Sequence, residues 1–116
     1  MIVMIFEYWL NEDHLDDYMQ QSTKLRQLIN EIDGFISIER YRSESDPGKI
    51  LAMGFFRDEE AVRVWRNLPE HRRAQVLGRQ LFFTDYRLRM ADVLRDYSMR
   101  HREQVPTDSH AVHKNI

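Results

Sequence analysis

The sequence predicts an α+β fold with the element order βαββαβ. Three observations carry that prediction. Short runs rich in β-branched and aromatic residues recur at residues 2–10, 35–42 and 49–57, the signature of strands. Between the first two, apolar residues return at three- and four-residue steps, the period of a helix with one buried face. Beyond the third, Pro69 and Gly78 separate a helical region from a last apolar run.

Residues 2–10 (IVMIFEYWL) form the first strand. Asn11 is placed to cap the following helix, and Glu12, Asp13, Asp16 and Asp17 put negative charge at its positive N-terminal end. Leu15, Tyr18, Met19, Leu25, Leu28, Ile29 and Ile32 mark its apolar stripe, and Gly34 supplies a left-handed stop. Residues 35–42 (FISIERYR) and 49–57 (KILAMGFFR) flank the polar turn SESDPG and read as a hairpin. Asp58 caps a short helix through Asn67. Pro69 opens a new helical segment, because proline suits a first turn and breaks an interior. Gly78 ends that segment, and residues 81–95 (LFFTDYRLRMADVLR) read as the last strand. Its apolar face carries Phe82, Tyr86, Leu88 and Met90, with Arg87 and Arg89 on the other. From Ser98 the chain is polar and contains Pro106, so residues 98–116 are expected to form a fraying tail behind a domain of residues 1–97.

Two right-handed split βαβ units in this order give a four-stranded antiparallel sheet with both helices on one face, the ferredoxin-like arrangement. The strands nevertheless carry apolar residues at both parities: Met4, Phe6 and Tyr8 beside Val3, Ile5 and Trp9, and Phe55 beside Phe56. Two helices cover only one face. A second copy packing sheet against sheet would cover the other. At about 25 cal/mol per Å² of apolar surface, an interface of about 1,600 Å² provides ample drive after association costs. A homodimer is expected.

With 116 residues and 42% hydrophobic content, the chain suits one domain with a modest core. The absence of cysteine excludes a disulfide framework, a thiolate metal site and a cysteine nucleophile. The apolar first ten residues lack a basic leader and are interrupted by Glu7, so they read as a strand and the expected location is cytoplasmic. No apolar run reaches the ~20 residues of a membrane span. The net charge of −2 hides an asymmetry: residues 1–60 carry 13 acidic and 6 basic side chains, residues 61–116 carry 6 and 11. The arginines are interleaved with acids, so no nucleic-acid partner is expected.

The stretch GFFRDEEAVRVWRNLPEHRRAQVLGRQLFFTDYRLRMADVLRDY, Gly54 to Tyr97, resembles the antibiotic biosynthesis monooxygenase family of dimeric α+β barrels. The resemblance extends over about residues 1–97 and is carried by the pattern WR, EHR, Q, GR and F–DY–LR within that stretch. It implies a ferredoxin-like protomer, a dimer, and a pocket in each protomer between sheet and helices. Some members of that family oxygenate aromatic, polyketide-like substrates with molecular oxygen and no metal or flavin. Members with a similar fold bind and degrade haem. Trp65 stands where both groups place a pocket tryptophan. Ala61 stands where cofactor-free oxygenases carry asparagine, Gln75 where haem degraders carry their iron-ligating histidine, and Glu7 or Tyr8 where they use a strand-one asparagine.

On their own chemistry, three residues are candidates for catalysis. Trp65 can wall a planar ligand. His71, with an ordinary pKa near 6.5, can take a proton from a phenol or enol at neutral pH. Arg66, Arg72, Arg73 and Arg79 more often make solvated ion pairs than grip anions; of the four, Arg79, just past Gly78, is the one placed to stabilise a developing oxyanion. Phe6, Phe56 and Tyr86 are candidate substrate-binding walls, and Met4, Met53 and Met90 adaptable fillers. Plain core packing is the alternative for Trp65 and a capping or surface role the alternative for His71, and helical phase does not decide, since Pro69 resets the geometry between them. His101, His110 and His113 fall in the tail, where no metal site is expected. No cofactor is expected. Two functions stay open: a cofactor-independent monooxygenase for a small phenolic, quinol or anthrone-type aromatic, and a non-catalytic dimeric protein binding a small hydrophobic molecule, with haem a weaker variant.

Overall fold

The computed structural model describes residues 1–113. Strand β1 (Ile2–Leu10) leads through a 3-10 turn, Glu12–His14, into helix α1 (Leu15–Ile29). The hairpin β2 (Phe35–Arg42) and β3 (Lys49–Phe56) follows, then helices α2 (Glu59–Asn67) and α3 (Pro69–Leu77), a π turn Gly78–Phe82, and strand β4 (Phe83–Asp92). The sheet is antiparallel with the order β2-β3-β1-β4. This is the ferredoxin-like α+β protomer expected from the sequence.

The local chemistry that starts and stops these elements is the expected one. Asn11 Oδ1 accepts from the Asp13 amide, and Asp58 Oδ1 accepts from the Ala61 amide at 2.9 Å. Gly34 has φ of +90°, and its missing Cβ lets the turn sit against Ala61. Ile2, Ile29, Phe56, Ala61 and Trp65 form the buried cluster between sheet and helices.

Two expectations are corrected. The last strand spans Phe83–Asp92, not residues 81–95, because the π turn absorbs Gly78–Phe82. Phe82 is therefore buried in the turn, and Phe83 takes the strand position facing the helices. Gly78 ends α3 as expected, with a right-handed φ of −58°; it is needed for space, since a Cβ there would lie 2.6 Å from the Phe83 ring. In α1, Leu15 and Met19 stay exposed, because the stripe that packs on the sheet runs through Leu25, Leu28 and Ile29. Within residues 98–113, Thr107–His113 form a helix, α4, with no buried residue. Among the described residues, no helix is long and apolar enough to cross a membrane.

Side-chain parity divides the sheet. The helix-facing rows run Arg40–Ala52–Phe6–Leu88 and Ile38–Gly54–Met4–Met90 across the four strands. The small residues Ala52 and Gly54 on β3 leave room above the sheet in the middle of these rows. The opposite face presents Val3, Ile5, Leu51, Met53 and Phe55, all half-buried, around Glu7, whose carboxylate is paired with Lys49 and Arg89.

Candidate active site

A cavity of about 520 Å³ lies between the helix-facing side of the sheet and helices α1, α2 and α3. That is within the range of small-molecule sites. Its wall includes all six residues singled out from the sequence: Trp65, His71, Arg79, Phe6, Phe56 and Tyr86.

The α2–α3 junction builds the most reactive part of the wall. In a continuous helix the Trp65 carbonyl would accept from the amide of residue 69, four positions on. Residue 69 is proline and has no N–H. The Trp65 carbonyl takes a longer bond from the Leu68 amide, 3.3 Å, and a second, 2.9 Å, from His71 Nδ1. The same bend lays the imidazole on the indole, with centroids 4.0 Å apart and planes 23° from parallel.

Because a carbonyl oxygen only accepts, Nδ1 carries the proton in the neutral ring. Nε2 is then the basic nitrogen, and no other group hydrogen-bonds it among the described residues. Burial lowers the His71 pKa below its ordinary value, and the neighbouring Arg72 cation lowers it further, against the opposing pull of the Trp65 carbonyl. At neutral pH the ring is an uncharged base held in one tautomer.

The remaining wall is an aromatic box. Phe6 stacks on Tyr8 at 4.8 Å, and Phe83 contacts Phe6, Tyr8, Tyr18 and Tyr86 at centroid distances of 5.2–6.1 Å. Arg79 donates to the Tyr86 hydroxyl at 2.7 Å. Arg40 Nε donates to the Tyr8 hydroxyl at 3.1 Å, and the Tyr8 and Tyr18 hydroxyls lie 2.7 Å apart. Tyr8 is only 1% exposed, and desolvation, reinforced by Tyr18, pushes its phenol pKa well above the ordinary value. Tyr8 therefore stays protonated, and its hydroxyl shares one hydrogen bond with that of Tyr18 while accepting another from Arg40.

The sequence reading left Tyr8, Tyr18, Phe83, Arg40 and Arg26 out of the site. Tyr8 shares the parity of Met4 and Phe6, and Arg40 that of Ile38, so strand alternation carried a usable signal for both. Phe83 carried none, because its phase depends on the π turn. Of the three methionines, Met4 and Met90 line the cavity, whereas Met53 faces away. Gln75, at the haem-ligand position of the resemblance, also lines the cavity, but its amide donates to the Arg66 carbonyl and accepts from Arg72. It offers no basic nitrogen to iron, so that position does not fit haem ligation. Among the described residues, no group of three His, Cys, Asp or Glu side chains is placed to hold a metal ion.

The sequence profile of the antibiotic biosynthesis monooxygenase family matches residues 1–77. A jasmonate monooxygenase of Pyricularia oryzae is 40% identical over 93 residues, which cover 80% of this chain and 43% of that protein. The chain thus spans less than half the length of that curated relative. Among solved structures, a Deinococcus radiodurans protein described as a candidate antibiotic biosynthesis monooxygenase superposes with a TM-score of 0.73 at 17% identity, over 85% of this chain and 98% of its own. A Mycobacterium tuberculosis protein gives 0.72 at 15% identity, over 84% and 98%. At these identities the structural likeness concerns the fold.

Proposed function

This chain belongs to the antibiotic biosynthesis monooxygenase family, and from that premise we propose that it is a cofactor-independent monooxygenase acting on a small aromatic of the phenol, quinol or anthrone type. The observation that carries this reading is the neutral, tautomer-locked His71 stacked on Trp65 in an apolar, aromatic-lined cavity. An acidic C–H or O–H of the substrate loses its proton to His71 Nε2. The resulting electron-rich anion supplies the electrons that molecular oxygen needs. For an anthrone-type methylene, carbon–oxygen bond formation gives a hydroperoxide, and loss of water leaves a ketone: CH₂ and O₂ become C=O and H₂O. Trp65 and Phe6 hold the ring plane, Phe56 and Tyr86 complete the wall, and the Arg79 guanidinium stabilises the developing oxyanion.

The active species we propose is a homodimer. The half-buried apolar face of the sheet supports it, and so does the shape of the chain. The radius of gyration is 17.2 Å, against about 13–14 Å for a compact domain of this length. The segment after β4 extends away from the domain with Leu94, Met99 and Val112 exposed at 83%, 89% and 71%, an apolar load that a second copy would cover.

Oxygen uptake with anthrones and hydroquinones tests the reaction, comparing the native protein with Trp65→Phe and His71→Ala. Jasmonate joins the panel because a relative is named for it. Uptake that depends on both residues supports the reading. No uptake across the panel leaves a binding protein, and a sharp, stoichiometric Soret band on adding haem overturns the cofactor-free chemistry.

A further inference from the structure

The cavity wall carries cations and no anions. Arg26 on α1, Arg40 on β2, Arg66 on α2, Arg72 on α3 and Arg79 on the π turn all line it, and none of its lining residues is an aspartate or glutamate. This is unexpected in a chain whose acids outnumber its lysines and arginines by 19 to 17. Away from the cavity, acids do find partners: Arg57 pairs with Asp33 and Asp58, Arg63 with Glu60, Arg73 with Glu70, and Arg89 with Glu7. Among the described residues, none of the five cavity arginines lies within 4.0 Å of a carboxylate. Their side-chain partners are neutral: Arg40 and Arg79 donate to tyrosine hydroxyls, and Arg72 to the oxygens of Asn67 and Gln75.

Neutral acceptors orient a guanidinium without compensating its charge. Arg40 uses Nε and Arg79 uses Nη1 for these bonds, which leaves donors on each fork unoccupied. All five arginines are solvent-exposed, and their charge, unpaired with any carboxylate, sets a positive potential over the aromatic-walled cavity. An uncharged hydrocarbon gains nothing from this arrangement, whereas a carboxylate matches the guanidinium fork in shape and charge. We infer that the ligand of this cavity is a hydrophobic carboxylate, an apolar ring or chain bearing one acid group that the wall arginines grip. This rests on the cavity being the reactive site proposed above, and it adds the charge that the substrate must carry.

Binding of matched pairs tests it, read by quenching of tryptophan fluorescence. One pair is 9-anthracenecarboxylate with 9-anthracenemethanol; the other is dodecanoate with dodecanol. Within the preferred pair, the acid is expected to bind about 10- to 100-fold more tightly than the alcohol at low salt, the range of a charge-assisted hydrogen bond. The preference shrinks as salt rises. The pair with the larger preference identifies a ring or a chain as the apolar body. Five single Arg→Gln variants locate the grip: at least one loses the acid preference while its affinity for the alcohol stays within about twofold, the variation expected of a site that keeps its shape. Equal or tighter binding of both alcohols overturns the inference, as does an acid preference that survives in all five variants. Oxygen uptake is a separate readout. Acid preference without uptake would count against the catalytic reading alone, and uptake without acid preference against this inference alone.

Discussion

The His71 imidazole lies 4.0 Å above the Trp65 indole while its Nδ1 donates to the backbone carbonyl of the same tryptophan, 2.9 Å away. One residue thus supplies both the ring that orients the base and the acceptor that fixes its tautomer. Two roles of His71 can be separated on this basis. His71→Asn keeps a side-chain N–H near the position of Nδ1 and removes the base, so thermal stability should change little while oxygen uptake falls about 10²- to 10⁴-fold. His71→Ala should lose the same activity and also about 1 kcal/mol of stability, because the Trp65 carbonyl loses a donor. Calorimetry beside oxygen-electrode rates checks both.

The acid limb of the pH–rate profile should lie below the ordinary histidine value of about 6.5, because burial and Arg72 disfavour the imidazolium. Arg72→Gln should move that limb upward. Stability follows the same linkage. The unfolded chain binds a proton at His71 more readily than the folded one, so this site costs nothing well above pH ~6.5 and progressively destabilises the fold as pH falls below it. The loss levels off once pH is below the folded value. A limb at or above the ordinary value would contradict the buried base.

Pro69→Ala restores an N–H at the position where the Trp65 carbonyl expects its helical donor. That amide competes directly with the imidazole. The variant should gain helical signal across residues 67–70, release the His71 tautomer lock, and lower kcat by about tenfold or more through misorientation of the base. The ¹⁵N shifts of the imidazole report the tautomer directly. A native-like shift pattern with full activity would show that the proline is not what aims the ring.

Much of this architecture was legible in the chain. The strand runs, the cap at Asp58 and the Pro69 start marked the elements that carry Phe6, Phe56, Trp65, His71 and Tyr86, while leaving open which face of the sheet Phe56 and Tyr86 occupy. The direction of His71 was not read from helical phase, yet it is implied by covalent chemistry, since Trp65 and Pro69 stand four apart. The two adjacent phenylalanines 82 and 83 could not be phased, because a π turn shifts which of them enters the strand. The unpaired arginines were hidden for another reason: acids and arginines alternate along the sequence, and only folding sends the acids outward and leaves Arg26, Arg40, Arg66, Arg72 and Arg79 around one space.

Gly34 couples the end of the first βα unit to α2. Its φ is +90°, and a Cβ would stand 2.8 Å from the Ala61 Cβ, beneath the helix that carries Trp65. Gly34→Ala should destabilise the protein by about 1–3 kcal/mol, from left-handed strain and overpacking together. Because α2 would have to lift, tryptophan fluorescence of the folded variant should also shift. Denaturant titration beside the emission spectrum tests this, and an unchanged midpoint would mean the turn can relax without moving α2.

Glu7 gives the far face of the sheet its own pH dependence. Its side chain is 18% exposed and sits among apolar neighbours, and hydrogen bonds from Lys49 and then Arg89 hold its carboxyl below the usual range. A carboxylate with a depressed pKa stabilises the state that holds it ionised. That contribution is complete above its ordinary value near 4.3 and disappears as pH falls through the lower folded value. If this face is buried in the proposed dimer, protonating Glu7 leaves Lys49 and Arg89 uncompensated against the partner. Self-association should therefore weaken on acidification before α1 or the sheet melts. Glu7→Gln should weaken it at neutral pH by about tenfold or more in dissociation constant. Sedimentation velocity against pH, paired with far-ultraviolet circular dichroism, distinguishes dissociation from unfolding. A monomer at every pH, or a dimer indifferent to Glu7→Gln, would move the interface away from this face.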